Sequence, residues 1–258
     1  MADYAAYFDD SGHPEDQNAL LVAGFLSTKE QWLLFEREWR DMLNRYGIAA
    51  LHMTDFERDK KWTRSKKDTI LLQLTSLIKA RVQYCVVHGM SMNDYREVNN
   101  VHALEQFVGK PYALIARSVV AGINKWKQAR PNRDKVLTIF EDGTLHRGDF
   151  MDAMARDGLP CPIFAKKGMA SLEAADWLAW EAFHAMKTNI IRPSLMRVLD
   201  TVPHDEGVYE KDNLFEMCAL IPVPRYEDLP PNATVSYKPV PHRIRKRSIY
   251  PRSVETRF

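Results

Sequence analysis

Tyr4-Ala5-Ala6-Tyr7-Phe8-Asp9-Asp10-Ser11-Gly12 begins as an apolar and aromatic run and stops at two adjacent acids and a turn pair. The run has the character of a buried strand. A carboxylate at the mouth of such a strand is costly unless it is paired or bound to a metal, so Asp9 and Asp10 mark a candidate site. In isolation the same acids also suit a cap on the turn into Ser11-Gly12. Two later stretches share this character. Val136 to Asp142 (V-L-T-I-F-E-D) is a second apolar strand ending in Glu141 and Asp142, although Asp142-Gly143 is equally a turn pair. Ser171 to Trp180 (S-L-E-A-A-D-W-L-A-W) places Glu173 and Asp176 among small and apolar residues at helical spacing. An acid on an alanine-lined face lets a helix approach a sheet closely while carrying charge into the contact. Strand ends and helix face are therefore expected to meet over one sheet.

Outward from the first strand, His13 to Asn18 has turn composition, and Ala19 to Leu26 predicts a second strand paired to the first as an antiparallel hairpin. Ser27 or Thr28 can cap a helix to about Tyr46, with Glu30 a capping-box partner for Ser27 and Trp32, Phe35, Trp39 and Leu43 on one face. Those aromatics can serve a second copy as well as a core, so the pattern is compatible with a homodimer. Leu51 to Phe56 (L-H-M-T-D-F) leads into a charged stretch and a helix from about Ser65 to Ala80, then a strand marked by Val82, Tyr84, Val86 and Val87. Helical pattern resumes from His102 to Gln128 with a break at Gly109-Lys110-Pro111, and a helix over about 147–156 and a strand over 161–165 precede the one carrying Asp176. The sequence predicts a mixed α/β domain over residues 1–190 with at least one crossover connection. Half of the 14 prolines follow Asn213, so residues 191–258 are expected to form a partly irregular extension, with helices near 193–199 and 212–220.

The formal charge of +2 hides an asymmetry: from His242 onward the balance is +5, which leaves −3 for the rest. Arg243, Arg245, Lys246 and Arg247 make the end of the chain a candidate nucleic-acid contact. So is Trp62, set near Lys66 and Lys67, since an aromatic among cations can stack a base and hold phosphates. A solvated charged loop is the plainer reading of that stretch. The longest apolar run, residues 19–26, falls far short of the roughly 20 residues of a membrane span. With no secretory pattern at Met1-Ala2-Asp3, the expected compartment is the cytosol. Cys85, Cys161 and Cys218 are widely spaced and form no C-x-x-C pair, so buried thiols are expected and a disulfide framework or thiolate metal site is not. Phosphate-loop, H-E-x-x-H zinc and G-x-S-x-G motifs are absent from the sequence.

Converging carboxylates suit hard cations such as Mg2+ or Mn2+, which prefer oxygen ligands and work with phosphate substrates. Two such ions about 3.5–4 Å apart can activate water and stabilise the leaving oxygen of a phosphodiester. Asp9, Glu141 and Asp176 are the leading ligand candidates, with Asp10, Asp142 and Glu173 behind them. His52 is a candidate proton donor or phosphate contact and equally a structural histidine.

The order of these motifs, an apolar strand then D-D-S-G, an L-H-x-x-D-F element, a strand then F-E-D, and S-L-E-A-A-D-W-L-A, resembles the family known as domain of unknown function 3800 over about residues 4–188. The resemblance implies a ribonuclease-H-like fold and metal-dependent nuclease activity on DNA or RNA. It sets Asp9, Asp10, Ser11 and Gly12 on the family's first motif, His52 on its histidine, Glu141 on the acid ending the later strand, and Ser171 and Asp176 on its last motif. Asp10 stands where a glutamate is usual, and Glu173 where a glutamine is common. Two rivals remain: a binding module without catalysis that holds nucleic acid or protein, and a phosphatase acting on a small phosphate ester.

Overall fold

Period-two alternation along the first strand divides the molecule into layers. Ala5 and Tyr7 face one apolar core while Ala6 and Phe8 face another, so the sheet is buried on both sides. The computed structural model describes residues 3–12, 18–130, 135–143 and 146–220. The Pro-rich basic stretch, including Arg243, Arg245, Lys246 and Arg247, lies outside the described residues, as do most of the turn expected at 13–18 and the segment 131–134.

In chain order, β1 (Tyr4–Ser11) and β2 (Ala19–Thr28) are followed by α1 (Lys29–Arg45), α2 (Met53–Arg58), α3 (Arg64–Arg81) and β3 (Tyr84–Ser91). Next come α4 (Met92–His102), α5 (Leu104–Val108), α6 (Pro111–Gln128), β4 (Val136–Glu141), α7 (Arg147–Arg156) and β5 (Ile163–Ala165). The described chain closes with α8 (Ala170–Thr188), α9 (Pro193–Leu199), β6 (His204–Tyr209) and α10 (Lys211–Leu220). The six strands form one sheet in the order β5-β4-β1-β2-β3-β6. Only β2 runs against the others, pairing antiparallel with β1 and β3, while β1/β4, β4/β5 and β3/β6 are parallel. The chain is thus a mixed α/β protein with helices on both faces. Helices α1, α3, α8 and α9 cover one side of the sheet, and α4, α6, α7 and α10 the other.

Local signals explain most boundaries. The Thr28 side chain accepts from Gln31 N–H, so Thr28 caps α1, while Ser27 lies within β2 and its hydroxyl donates to Arg81 O. The capping box expected between Ser27 and Glu30 does not form. Trp32, Phe35, Trp39 and Leu43 are all buried against the sheet, which removes the α1 stripe as a surface for a second copy. Pro111 starts α6 at its first turn.

Three expectations need correction. Residues beyond 190 are part of the layered body: β6 extends the sheet at β3, and Leu195, Val198 and Leu214 are buried in the two cores. The charged, short sequence of β6 (H-D-E-G-V-Y) carries little strand pattern, which an edge position tolerates. Helix α4 is an addition as well, its start capped by the Ser91 side chain. Among the cysteines, Cys85 is buried but Cys161 is exposed.

Candidate active site

Sheet register brings the first two acids together. β1 and β4 pair in parallel up to Phe8 and Phe140, so one step further the same register sets Asp9 beside Glu141. Both continue the odd-numbered series that faces α8, with Ala5, Tyr7 and Ile139. Asp10 lies on the opposite face of the strand, where period-two alternation separates it from the other acids. It contributes its charge to Asp9, and its backbone N–H donates to Asp9 Oδ1 at 2.8 Å.

Helix α8 delivers the third acid. Alanines 174, 175, 179 and 182 are buried along it, so its backbone runs close over β1 and β2. Gly12 shows how close: a Cβ there would sit 2.3 Å from Ala19 O and 2.7 Å from the Phe183 ring, and its φ of +88° suits glycine besides. Asp176 Oδ2 accepts from the Met53 N–H at 2.7 Å, in the first turn of α2. Glu141 and Asp176 line one cavity of about 70 Å³ together with His52, Lys167 and Glu173.

The electrostatics are those of crowded anions. Asp9 is 8% exposed, and burial pushes its carboxyl well above the usual carboxylate range, with the Glu141, Asp10 and Asp176 charges adding to the rise. Burial also raises Asp176, against the Met53 N–H and the nearby His52 and Lys167, which lower it. Lys167 extends its ammonium to Glu141 at 2.9 Å. Burial alone lowers the Lys167 pKa, but its bond to Glu141 and the charges of Asp9 and Asp176 outweigh this and raise it.

Sequence reading missed Lys167. The available signal was Lys166-Lys167-Gly168 immediately before the acid-bearing helix, on a loop whose Gly168 takes φ +108°. That loop is fastened from α1: Arg40 donates to Gly168 O, and Glu36 accepts from Ala170 N–H at the start of α8.

Glu173 serves the frame of the site. Its Oε2 accepts from Trp39 Nε1 at 2.9 Å and from Leu51 N–H at 3.0 Å, and its Oε1 pairs with Arg40 at 2.7 Å. This ties α8 to α1 and to the segment carrying His52, and leaves Glu173 committed to protein donors. Ser171 is buried and hydrogen-bonds Tyr7. Asp142 lies past the strand end, paired with Arg147 at 3.1 Å, away from the cavity. His52 stands at the cavity mouth with Nδ1 2.9 Å from Asp55 Oδ2. Lys67 is corrected as a nucleic-acid contact: it is 6% exposed and donates to Glu57 O at 2.6 Å. Lys66 is exposed over the Tyr46 ring, and Trp62 is half-buried edge-on to the same tyrosine.

No family model matches the chain. No curated protein matches it either. Among solved structures, a chain from "Structure of the PCNA:RNase HII complex from Archaeoglobus fulgidus" is similar at 14% identity, with a TM-score of 0.36 over 68% of this chain and 69% of that one. A likeness of that size carries nothing about activity.

The donor set bears on a metal in two ways. Asp9, Glu141 and Asp176 offer only hard oxygen atoms, which fits Mg2+ or Mn2+, and the raised Asp9 and Asp176 carboxyls call for a neighbouring positive charge before they ionise. Among the described residues, however, no group of three His, Cys, Asp or Glu side chains is disposed to hold an ion as it stands. Lys167 supplies the positive charge instead.

Proposed function

We propose that this chain is a divalent-metal-dependent nuclease with a ribonuclease-H-like fold, kin to the domain of unknown function 3800 family, which hydrolyses phosphodiester bonds in DNA or RNA. The observation that carries the reading is the delivery of Asp9, Glu141 and Asp176 from two adjacent parallel strands and one helix to the same side of the sheet, where burial and mutual repulsion disfavour the Asp9 anion. Mg2+ or Mn2+ held by these three carboxylates would supply charge neutralisation and an activated water.

The remaining steps belong to side chains of the protein. Asp176 is oriented by the Met53 N–H, so its carboxylate enters the site pre-aimed. Lys167, free to turn from Glu141 once that acid has another partner, can meet a phosphate oxygen. His52 stands where a leaving oxygen could take a proton, with Asp55 fixing its ring. Glu173 and Arg40 hold the walls in place.

Cleavage of single- and double-stranded DNA and RNA, measured with Mg2+ or Mn2+ and with EDTA, tests the reading. Activity is expected in the parent and lost to background in Asp9→Asn and Asp176→Asn, with folding intact by circular dichroism. Parental rates in both variants would remove these residues as ligands. The Lys167–Glu141 pair, present where a metal ligand is expected, favours one other reading: a module that holds nucleic acid without cutting it. Salt-sensitive binding with no metal-dependent cleavage of any substrate would select it.

A further inference from the structure

Beside the carboxylate cavity lies a second one of about 190 Å³, and the two share Ala50 and His52 as a common wall. Its lining is mixed in an informative way. Trp62 and Phe56 provide aromatic surface, Asp55 and Asp59 provide acceptors, and Lys61 provides a cation. The Trp62 ring is held by Tyr46, edge-on at 6.3 Å between centroids, and Lys61 Nζ lies 4.7 Å from its centre. Asp55 and Asp59 are set by Nδ1 of His52 and by the Lys61 N–H.

The volume is below the roughly 300–1,000 Å³ of pockets for drug-sized ligands, so the cavity suits one ring system and not a base pair. We propose that it receives the nucleobase of an unpaired nucleotide, guanine before the others, while the attached phosphodiester crosses the His52 wall toward Glu141 and Asp176. This rests on the nuclease reading and names its substrate as unpaired nucleic acid. Aromatic surface stacks any base. Ionised aspartates only accept hydrogen bonds, and guanine alone presents two adjacent donors, N1–H and N2–H2, on one edge, the pair a carboxylate receives best. Adenine and cytosine place an acceptor next to their amino group, and uracil flanks its single N–H with carbonyls. Lys61 offsets part of the negative charge that would otherwise repel a nucleotide phosphate.

Isothermal titration of the full chain in EDTA, with GMP, AMP, CMP, UMP and ribose 5-phosphate as probes, tests the inference without requiring cleavage. GMP is expected to bind about tenfold or more tightly than AMP or UMP, with ribose 5-phosphate weakest. Trp62→Ala should weaken GMP at least about tenfold while Trp62→Phe retains it, and Asp55→Asn should erase the preference for GMP. Equal binding of GMP and ribose 5-phosphate, no binding of any nucleotide, or unchanged GMP affinity in Trp62→Ala would overturn it. Cleavage by a parent that shows no base preference would sink this inference alone. GMP selectivity in a parent that never cleaves would sink the nuclease reading and leave the base pocket standing.

Discussion

Asp9 shows the conflict between stability and chemistry most plainly. Its carboxyl is buried and feels the charges of Glu141, Asp10 and Asp176, so folding draws a proton onto it. A group whose pKa is higher folded than unfolded stabilises the fold below the ordinary carboxylate range, and that contribution is lost as pH rises through the folded value. Asp9→Asn keeps the shape and removes the charge. At pH 8 without metal it is expected to be more stable than the parent by about 1–3 kcal/mol, the usual cost of a poorly satisfied buried polar group, as measured by urea unfolding. Equal or lower stability would mean that the carboxylate is better compensated than its surroundings imply. Lys167 is the compensating cation most in view. Because its ammonium is largely exposed, the pair is worth roughly 0.2–1 kcal/mol, and Lys167→Met should tighten Mn2+ binding by up to about fivefold by calorimetry. Unchanged or weaker binding would show that the lysine does not compete with the ion. Asp9, Glu141 and Asp176 stood out in the sequence because acids interrupt apolar runs there. The distinct roles of Asp10 and Glu173 were not legible, since strand alternation and burial against Trp39 and Arg40 set them.

Helix α8 organises more than the site. One turn and a half beyond Asp176, Glu181 is 1% exposed, with Oε1 accepting from Ser194 Oγ at 3.1 Å and facing Arg192 at 3.4 Å, so it links α8 to α9. Burial lifts its pKa to about 7, against the lowering effect of Arg192 and Ser194. Folding therefore gains from Glu181 most fully below the unfolded carboxyl value, and loses that gain as pH rises toward 7. A tenfold difference in proton affinity between folded and unfolded chains is worth about 1.4 kcal/mol, so the parent should lose about 3 kcal/mol of stability from this group between roughly pH 4.5 and 8. Glu181→Gln should flatten that dependence, read from urea midpoints at several pH values. A parent and variant with parallel pH profiles would place the Glu181 proton equilibrium elsewhere. The alanine periodicity of α8 was visible in the chain, as were α1, α3 and α6. Helix α4 and strand β6 were not, because short amphipathic or charged segments take their structure from what they dock against.

For the molecule as a whole, the consequential element is β6. It adds to the free edge of β3, brings Asp205 Oδ2 to 3.4 Å from the buried His88, and places Val208 in one core and Tyr209 in the other. A chain ended at residue 190 would lose these contacts together with Leu195, Val198 and Leu214, and would expose β3 as a long apolar edge. It is expected to lose cooperative thermal unfolding or to aggregate, measured by circular dichroism and light scattering. A cooperative transition in that fragment would restore residue 190 as a domain boundary. Among the described residues no helix is long and apolar enough to cross a membrane, in keeping with the short apolar runs of the sequence.

Local chemistry written into the chain was enough to establish most of the alternating strands and amphipathic helices, and the positions where acids break apolar runs. Those features depend on neighbours within a few residues, so periodicity alone reveals them. Which acids share a cavity, that Lys167 faces them, that Glu173 braces the frame, and that a strand from beyond residue 190 completes the sheet were settled by register and packing between segments distant in the chain. A charge has no sequence signature for the partner it will meet, because that partner is chosen by the three-dimensional path of the backbone and by the burial that makes an unpaired charge costly.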